Sequence, residues 1–220
     1  MKKVFLFTIA MWGLGIPCAN AQYVQFSTTD LYDTDAMMMY LNAVREMNQR
    51  AIQISQTVQP YRERQRQYYR EGKYREAVEL CYDVRQQYVY YVHDNKAISD
   101  MEIVAGDCAL RIGAYESAID WFQTAKGAGE SGMDSRLSQV FNAVMQKARD
   151  AYRSNNYSEL WNDVTIALKT GWESGECYYY YGMCYERNYN LRDAKKMYKL
   201  AKKKNYAPAV AALQNLKKRR

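Results

Sequence analysis

The sequence predicts an all-α protein, a solenoid of about four helical hairpins with a capping helix at each end. Two observations lead there. One phrase recurs four times along the chain, a turn residue, an aromatic two later and a small residue three after that, whole in the first two copies and weaker in the third and fourth, where Leu160 replaces the small residue and Leu191 the aromatic, and apolar positions at helical spacing follow every copy. No competing period interrupts it.

The first stretch stands apart from this pattern. Lys2 and Lys3 precede an apolar run from Val4 to Ile16, and Ala19-Asn20-Ala21 supplies a small-x-small cleavage site. The run is short for a bilayer-spanning helix, so residues 1–21 read as a secretory signal peptide with the mature chain starting at Gln22. An uncleaved anchor and lipidation at Cys18 are the alternatives, and Gly15-Ile16-Pro17 is a poor lipobox. No later segment is apolar enough to span a membrane. The expected location is therefore the periplasm or the cell surface.

Residues 22–57 form the N-terminal segment and cap. Gln22 to Asp30 is polar, and Asp33 or Thr34 can cap a long helix through Met37, Leu41, Val44, Ala51 and Val58, with Pro60 placed to begin the next helix. Whether Met37-Met38-Met39 packs inward or onto another molecule is left open.

Residues 58–208 hold the four copies. The first is Gly72-Lys73-Tyr74-Arg75-Glu76-Ala77, continuing to Cys81 and Val84, and the second is Gly113-Ala114-Tyr115-Glu116-Ser117-Ala118, continuing to Phe122 and Ala125. The third is Asn155-Asn156-Tyr157-Ser158-Glu159-Leu160 with Val164 and Ala167; the fourth is Tyr189-Asn190-Leu191-Arg192-Asp193-Ala194 with Tyr198 and Ala201. Gly and Asn suit the left-handed conformation that ends a helix. The aromatic plugs the space between helices, and the small residue allows close approach. Seven residues before the turn stand Gly106, Ala148 and Gly182, whereas the first copy has Gln65 there, a departure that weakens it. Turn residues Asn155 and Tyr189 are 34 apart, while the earlier intervals are 41 and 42. Those longer steps imply extended second helices or inserted loops around Tyr90 to Ser99 and Gly127 to Asp134. After Pro208, residues 209–220 form a basic capping helix, apolar on one face from Ala209 to Leu216.

This pattern resembles the tetratricopeptide repeat family over roughly Val58 to Pro208. The resemblance implies a right-handed helical-hairpin solenoid whose first helices line a concave binding face. Helical phase nominates Arg62, Arg66, Tyr69 and Arg70 in the first repeat, and Ile103, Asp107, Leu110 and Arg111 in the second. Met145, Arg149, Tyr152 and Arg153 follow in the third, and Tyr179, Met183, Glu186 and Arg187 in the fourth. Arginine forks and tyrosine faces suit an extended or acidic peptide. Some members clamp a C-terminal carboxylate with Lys and Asn; Arg62 and Arg66 occupy the first two of those places here, so that mode is not carried over. Tyr178, Tyr181 and Tyr185 are spaced as an inward face, with Tyr179 turned toward the groove.

The remaining composition bounds function. Four cysteines are left after the signal: Cys81, Cys108, Cys177 and Cys184. Cys177 and Cys184 lie about 10 Å apart on one predicted helix, too far to bridge. Cys81 and Cys108 fall on consecutive helices, and buried thiols are the expected state. His93 is the only histidine, and no nucleophile partner, metal-ligand cluster or phosphate-binding loop accompanies it. The chain therefore reads as a non-catalytic scaffold without cofactor or metal, which binds a protein partner.

The charge is segregated. The mature chain carries 29 Lys and Arg against 24 Asp and Glu, yet from Leu191 onward eleven basic residues face one acid. The rival reading is an envelope-associated protein that meets anionic lipid or polysaccharide through this end, Lys217, Lys218, Arg219 and Arg220; nucleic acid is not an expected partner.

Overall fold

The computed structural model describes residues 34–88 and 96–218, and among these the chain is helical throughout. The expected signal peptide with Cys18 and the expected Gln22 terminus, Asp33, His93, Arg219 and Arg220 lie outside the described residues. Among the described residues nine helices follow one another: α1 (Thr34–Arg70), α2 (Tyr74–Gln87), α3 (Lys96–Arg111), α4 (Tyr115–Gly127), α5 (Met133–Arg153), α6 (Tyr157–Lys169), α7 (Gly175–Arg187), α8 (Leu191–Lys203) and α9 (Pro208–Lys218). Helices adjacent in sequence pack in pairs.

The turns explain why hairpins form. The four predicted turn residues, Gly72, Gly113, Asn155 and Tyr189, all have φ between 56° and 76°. The N–H of the following residue bonds back across each turn: Lys73 to the Tyr68 carbonyl, Ala114 to Ala109, Asn156 to Ala151 and Asn190 to Tyr185, at 2.8–2.9 Å. This is the Schellman closure, which satisfies orphan carbonyls at a helix end. Two turns between hairpins repeat it, Glu130 to the Ala125 carbonyl and Tyr206 to the Ala201 carbonyl, after Gly129 and Asn205. In the third and fourth copies the next helix is also capped, as Asn156 accepts from the Glu159 N–H and Asn190 from the Asp193 N–H.

The apolar positions of the phrase are the core positions. Ala77, Ala118, Leu160 and Ala194, then Cys81, Phe122, Val164 and Tyr198, then Val84, Ala125, Ala167 and Ala201 are all buried to 1% exposure or less. The aromatics two after the turn behave otherwise: Tyr74, Tyr115 and Tyr157 are half-buried.

Two compact units result, one of Cys108 and the described residues before it with Gln123–Glu130, the other of Ala109–Phe122 with Ser131–Arg220. In the first, Gln65 is 1% exposed and its Nε2 donates to the carbonyls of Ala77 and Met101, at 3.1 and 3.0 Å. A buried amide with two acceptors ties three helices together, so the residue that breaks the small-residue rule is a strut, not a weakness. In the second, Gly182 keeps the rule: a Cβ there would lie 2.6 Å from the Tyr198 ring.

Two expectations are corrected. Pro60 does not begin a helix; it lies inside α1, which runs unbroken for 37 residues. Proline removes one helical hydrogen bond, and here both Pro60 and Gln56, whose carbonyl loses its donor, are exposed, where solvent takes the donor's place. Second, of the two sources expected for the long intervals, extended second helices or inserted loops, the first is not found, since α2, α4, α6 and α8 have 13 or 14 residues each. The 42-residue interval exceeds the 34-residue one by eight, and α5 has 21 residues where α7 has 13.

Candidate binding groove

Within the second unit, α7 and α9 form the two walls of a groove of about 750 Å³. Tyr179, Met183, Glu186 and Arg187 line it from α7, one helical face at spacings of three and four. Pro208, Ala211, Ala212 and Asn215 face them from α9, while Tyr157, Tyr189 and Tyr198 complete the lining. Alanines on α9 leave the space; tyrosines on the other elements give it flat aromatic surface.

Each polar group there has a defined state. The Arg187 guanidinium lies over the Tyr157 ring with Cζ 4.3 Å from the centroid and is exposed. A cation–π contact of this kind contributes about 0.5–1 kcal/mol and leaves the edge N–H donors of the guanidinium for a ligand. Glu186 accepts from the Tyr198 hydroxyl at 2.7 Å. Burial, then that bond and the carboxylate charge, push the Tyr198 phenol far above its ordinary range, so it stays a donor. Tyr179 is half-buried, its ring 5.2 Å from that of Tyr206 and 5.6 Å from that of Tyr198. Tyr189 stands at 91% exposure.

Next to the groove, Arg149 grips Glu176 with two donors, Nε to Oε1 at 3.0 Å and Nη2 to Oε2 at 2.8 Å, and Tyr180 donates to the same carboxylate at 3.1 Å. Tyr152 packs on Tyr180 with centroids 5.0 Å apart. This fork fixes α7 against α5 and so sets the groove wall.

Of the residues nominated from sequence, Tyr179, Met183, Glu186 and Arg187 are brought together. Arg149 and Tyr152 are beside them but committed to structure, and Arg153 pairs with Asp150 at 3.1 Å. Met145 is a correction, since at 1% exposure it belongs to the core. Tyr181 and Tyr185 are half-buried around Trp161, each with its ring centroid 4.9 Å from the indole, while Tyr178 and the unexpected Tyr180 are buried.

In the first unit Arg62 is half-buried in an ion pair with Asp100, and Tyr69 meets Tyr74 edge-on at 5.7 Å. Arg66 and Arg70 are exposed; Asp107, Ile103 and, in the second unit, Leu110 are half-buried, with Arg111 exposed. All four cysteines are buried and unbridged.

The structure also places charge that a count by position misses. Lys217 and Lys218 are exposed at the end of α9, but more of the basic end lies on α8, where Arg192, Lys196, Lys199, Lys202 and Lys203 are exposed. They sit at three- and four-residue spacing, opposite the buried Ala194, Tyr198 and Ala201. That spacing was the available signal. No helix among the described residues is long and apolar enough to cross a membrane. Compared with protein-family models and with curated proteins, the chain matches none.

Proposed function

We propose that this chain is an exported, non-catalytic scaffold of tetratricopeptide type, a right-handed array of hairpins that holds an extended segment of a protein partner against α7. The observation that carries this reading is the groove, which joins four tyrosines, Met183 and the exposed Arg187 guanidinium. Helix α9 has 11 residues, about 16 Å, which accommodates roughly five residues of extended peptide. Aromatic faces give contact area at low entropy cost, and Arg187 favours an acidic side chain or carboxylate. The α8 cations would raise the rate of encounter with an acidic segment.

The test is crosslinking capture from the cell envelope by the mature chain and two variants. Arg187→Glu removes the cation, and Ala211→Trp fills the groove from an exposed position of α9. The expected outcome is a protein captured by wild type and lost from both variants while their helical circular dichroism is unchanged. Undiminished capture by both would remove the groove from consideration.

A second reading rests on the cationic face of α8: attachment to anionic lipid or polysaccharide. It predicts envelope association that falls steeply with salt and with charge reversal at Arg192, Lys199 and Lys203, and is indifferent to Ala211→Trp.

A further inference from the structure

The cations of α8 form a line and not a scattered cluster. Arg192, Lys196, Lys199 and Lys203 recur at spacings of four, three and four, which on an α-helix places them within a stripe about 60° wide and about 16 Å long. All four are exposed. Lys196 reaches back to Asp193 at 2.8 Å, whereas Arg192, Lys199 and Lys203 make no ion pair among the described residues. Like charges three and four apart on a helix repel, so an anionic chain laid along the stripe relieves that repulsion.

The surroundings fix the character of the stripe. Ala194, Tyr198 and Ala201 lie on the opposite side of α8 and are buried, where α8 packs against α7 and α9. Leu216 of α9 joins Ala194 and Tyr198 in that core, which brings the exposed Lys217 and Lys218 to the Arg192 end. Two acids near the stripe already hold partners, Asp193 with Lys196 and Asn190, and Glu173 with Lys204 at 3.1 Å. Leu200, 38% exposed, borders the stripe on one side.

We propose, resting on the reading of α8 as an attachment face, that the stripe binds a linear acidic polysaccharide. Three observations choose that ligand among anions. Cations in series match a chain that carries its charges in series, and not a compact anion. Adsorption of a helix to lipid draws on an apolar face set into the bilayer, and the apolar face of α8 is buried against α7 and α9. Single-stranded nucleic acid is held by bases stacked on aromatic side chains, and the aromatic of α8, Tyr198, is buried on the far side. A sugar chain needs neither. Its carboxylates or sulfates meet lysines, which as point charges accept either, and its C–H faces meet Leu200.

The test is fluorescence anisotropy of labelled oligogalacturonate, with one carboxylate per sugar, titrated with the mature chain at low salt. Binding is expected to strengthen with chain length until the oligomer spans the stripe, with galacturonic acid itself a poor competitor. With the four stripe cations engaged, the logarithm of affinity should fall against the logarithm of salt with a slope of about 3. Lys199→Glu with Lys203→Glu, both at exposed positions, should weaken binding about tenfold or more. Arg45→Glu with Arg50→Glu makes the same change of charge at exposed positions of α1 and should cost less than about twofold. Ala211→Trp, which fills the groove, should leave binding unchanged. Equal loss from the two charge reversals, or competition by the monomer at equal sugar concentration, would overturn the proposal. So would binding to phosphatidylglycerol vesicles and not to the oligomer, which keeps α8 as an attachment face but assigns it to lipid. Binding to neither would remove that face as an attachment site altogether.

Discussion

Tyr189 occupies the turn position of the fourth copy with φ 57°, in the region where Gly72 and Gly113 sit freely. An L-residue with a bulky side chain loses about 1–2 kcal/mol there, and at 91% exposure the ring recovers little by packing. Replacing it with glycine relieves the strain but enlarges the freedom of the unfolded chain, an offset of about 0.4–1 kcal/mol. Tyr189→Gly should therefore stabilise the protein by about 0.5–1 kcal/mol in urea unfolding while weakening peptide binding, because the same ring lines the groove. Unchanged or lower stability would show that the ring is held by contacts of its own. The turn position was legible in the sequence from its distance to Ala194, Tyr198 and Ala201, even though tyrosine is a poor turn residue. Side-chain partners were not legible. Arg62 and Arg149 were expected in a groove, yet Asp100 and Glu176, 38 and 27 residues away, hold them, and no local pattern ties residues so far apart.

At the scale of helices, register came through because turn, small residue and apolar positions all agree on it. Length did not come through in the same way. An interval between turns constrains only the combined length of two helices and a loop, so the two extra turns of α5 were indistinguishable from a longer α4 or a wider loop. Pro60 misled for a related reason: sequence carries the helix-breaking tendency of proline but not the exposure that makes it tolerable. The α7–α8 contact shows what register sets up. Gly182 faces the Tyr198 ring, which is 1% exposed and bonded to Glu186. Gly182→Ala would push a methyl to 2.6 Å from ring atoms that have nowhere to go. The expected cost, about 1–3 kcal/mol by overpacking, exceeds the gain of about 1 kcal/mol that alanine normally brings to a helix interior. Chemical denaturation should show net destabilisation, and a net gain would mean that α8 can shift without loss.

At the scale of the molecule, two carboxyls among the described residues are buried, one in each compact unit, and they set how stability responds to pH. Glu102 is 0% exposed, neither of its oxygens has a hydrogen-bond partner, and Arg85 Nε is 4.0 Å away. Desolvation, only partly opposed by Arg85, pushes its pKa up to about 7. Asp163, 2% exposed with Lys147 3.6 Å away, is shifted upward for the same first cause. A carboxyl whose folded pKa lies above its unfolded value binds more protons when folded, so stability is greatest below the unfolded value and falls as pH rises through the folded one. For Glu102 the window runs from about pH 4.5 to 7, and the loss across it is roughly 3 kcal/mol at most. The cysteines make the two units separately readable, since Cys81 and Cys108 are buried in the first and Cys177 and Cys184 in the second. Burial pushes the Cys177 and Cys184 thiols up to about 12, so labelling requires opening. Thiol labelling between pH 5 and 8, corrected for the rate in unfolded chain, should show Cys81 and Cys108 opening more readily as pH rises. Glu102→Gln should flatten that rise for these two and leave Cys177 and Cys184 unchanged. A rise that survives the substitution would mean that Glu102 is ionised in the fold and already compensated by Arg85.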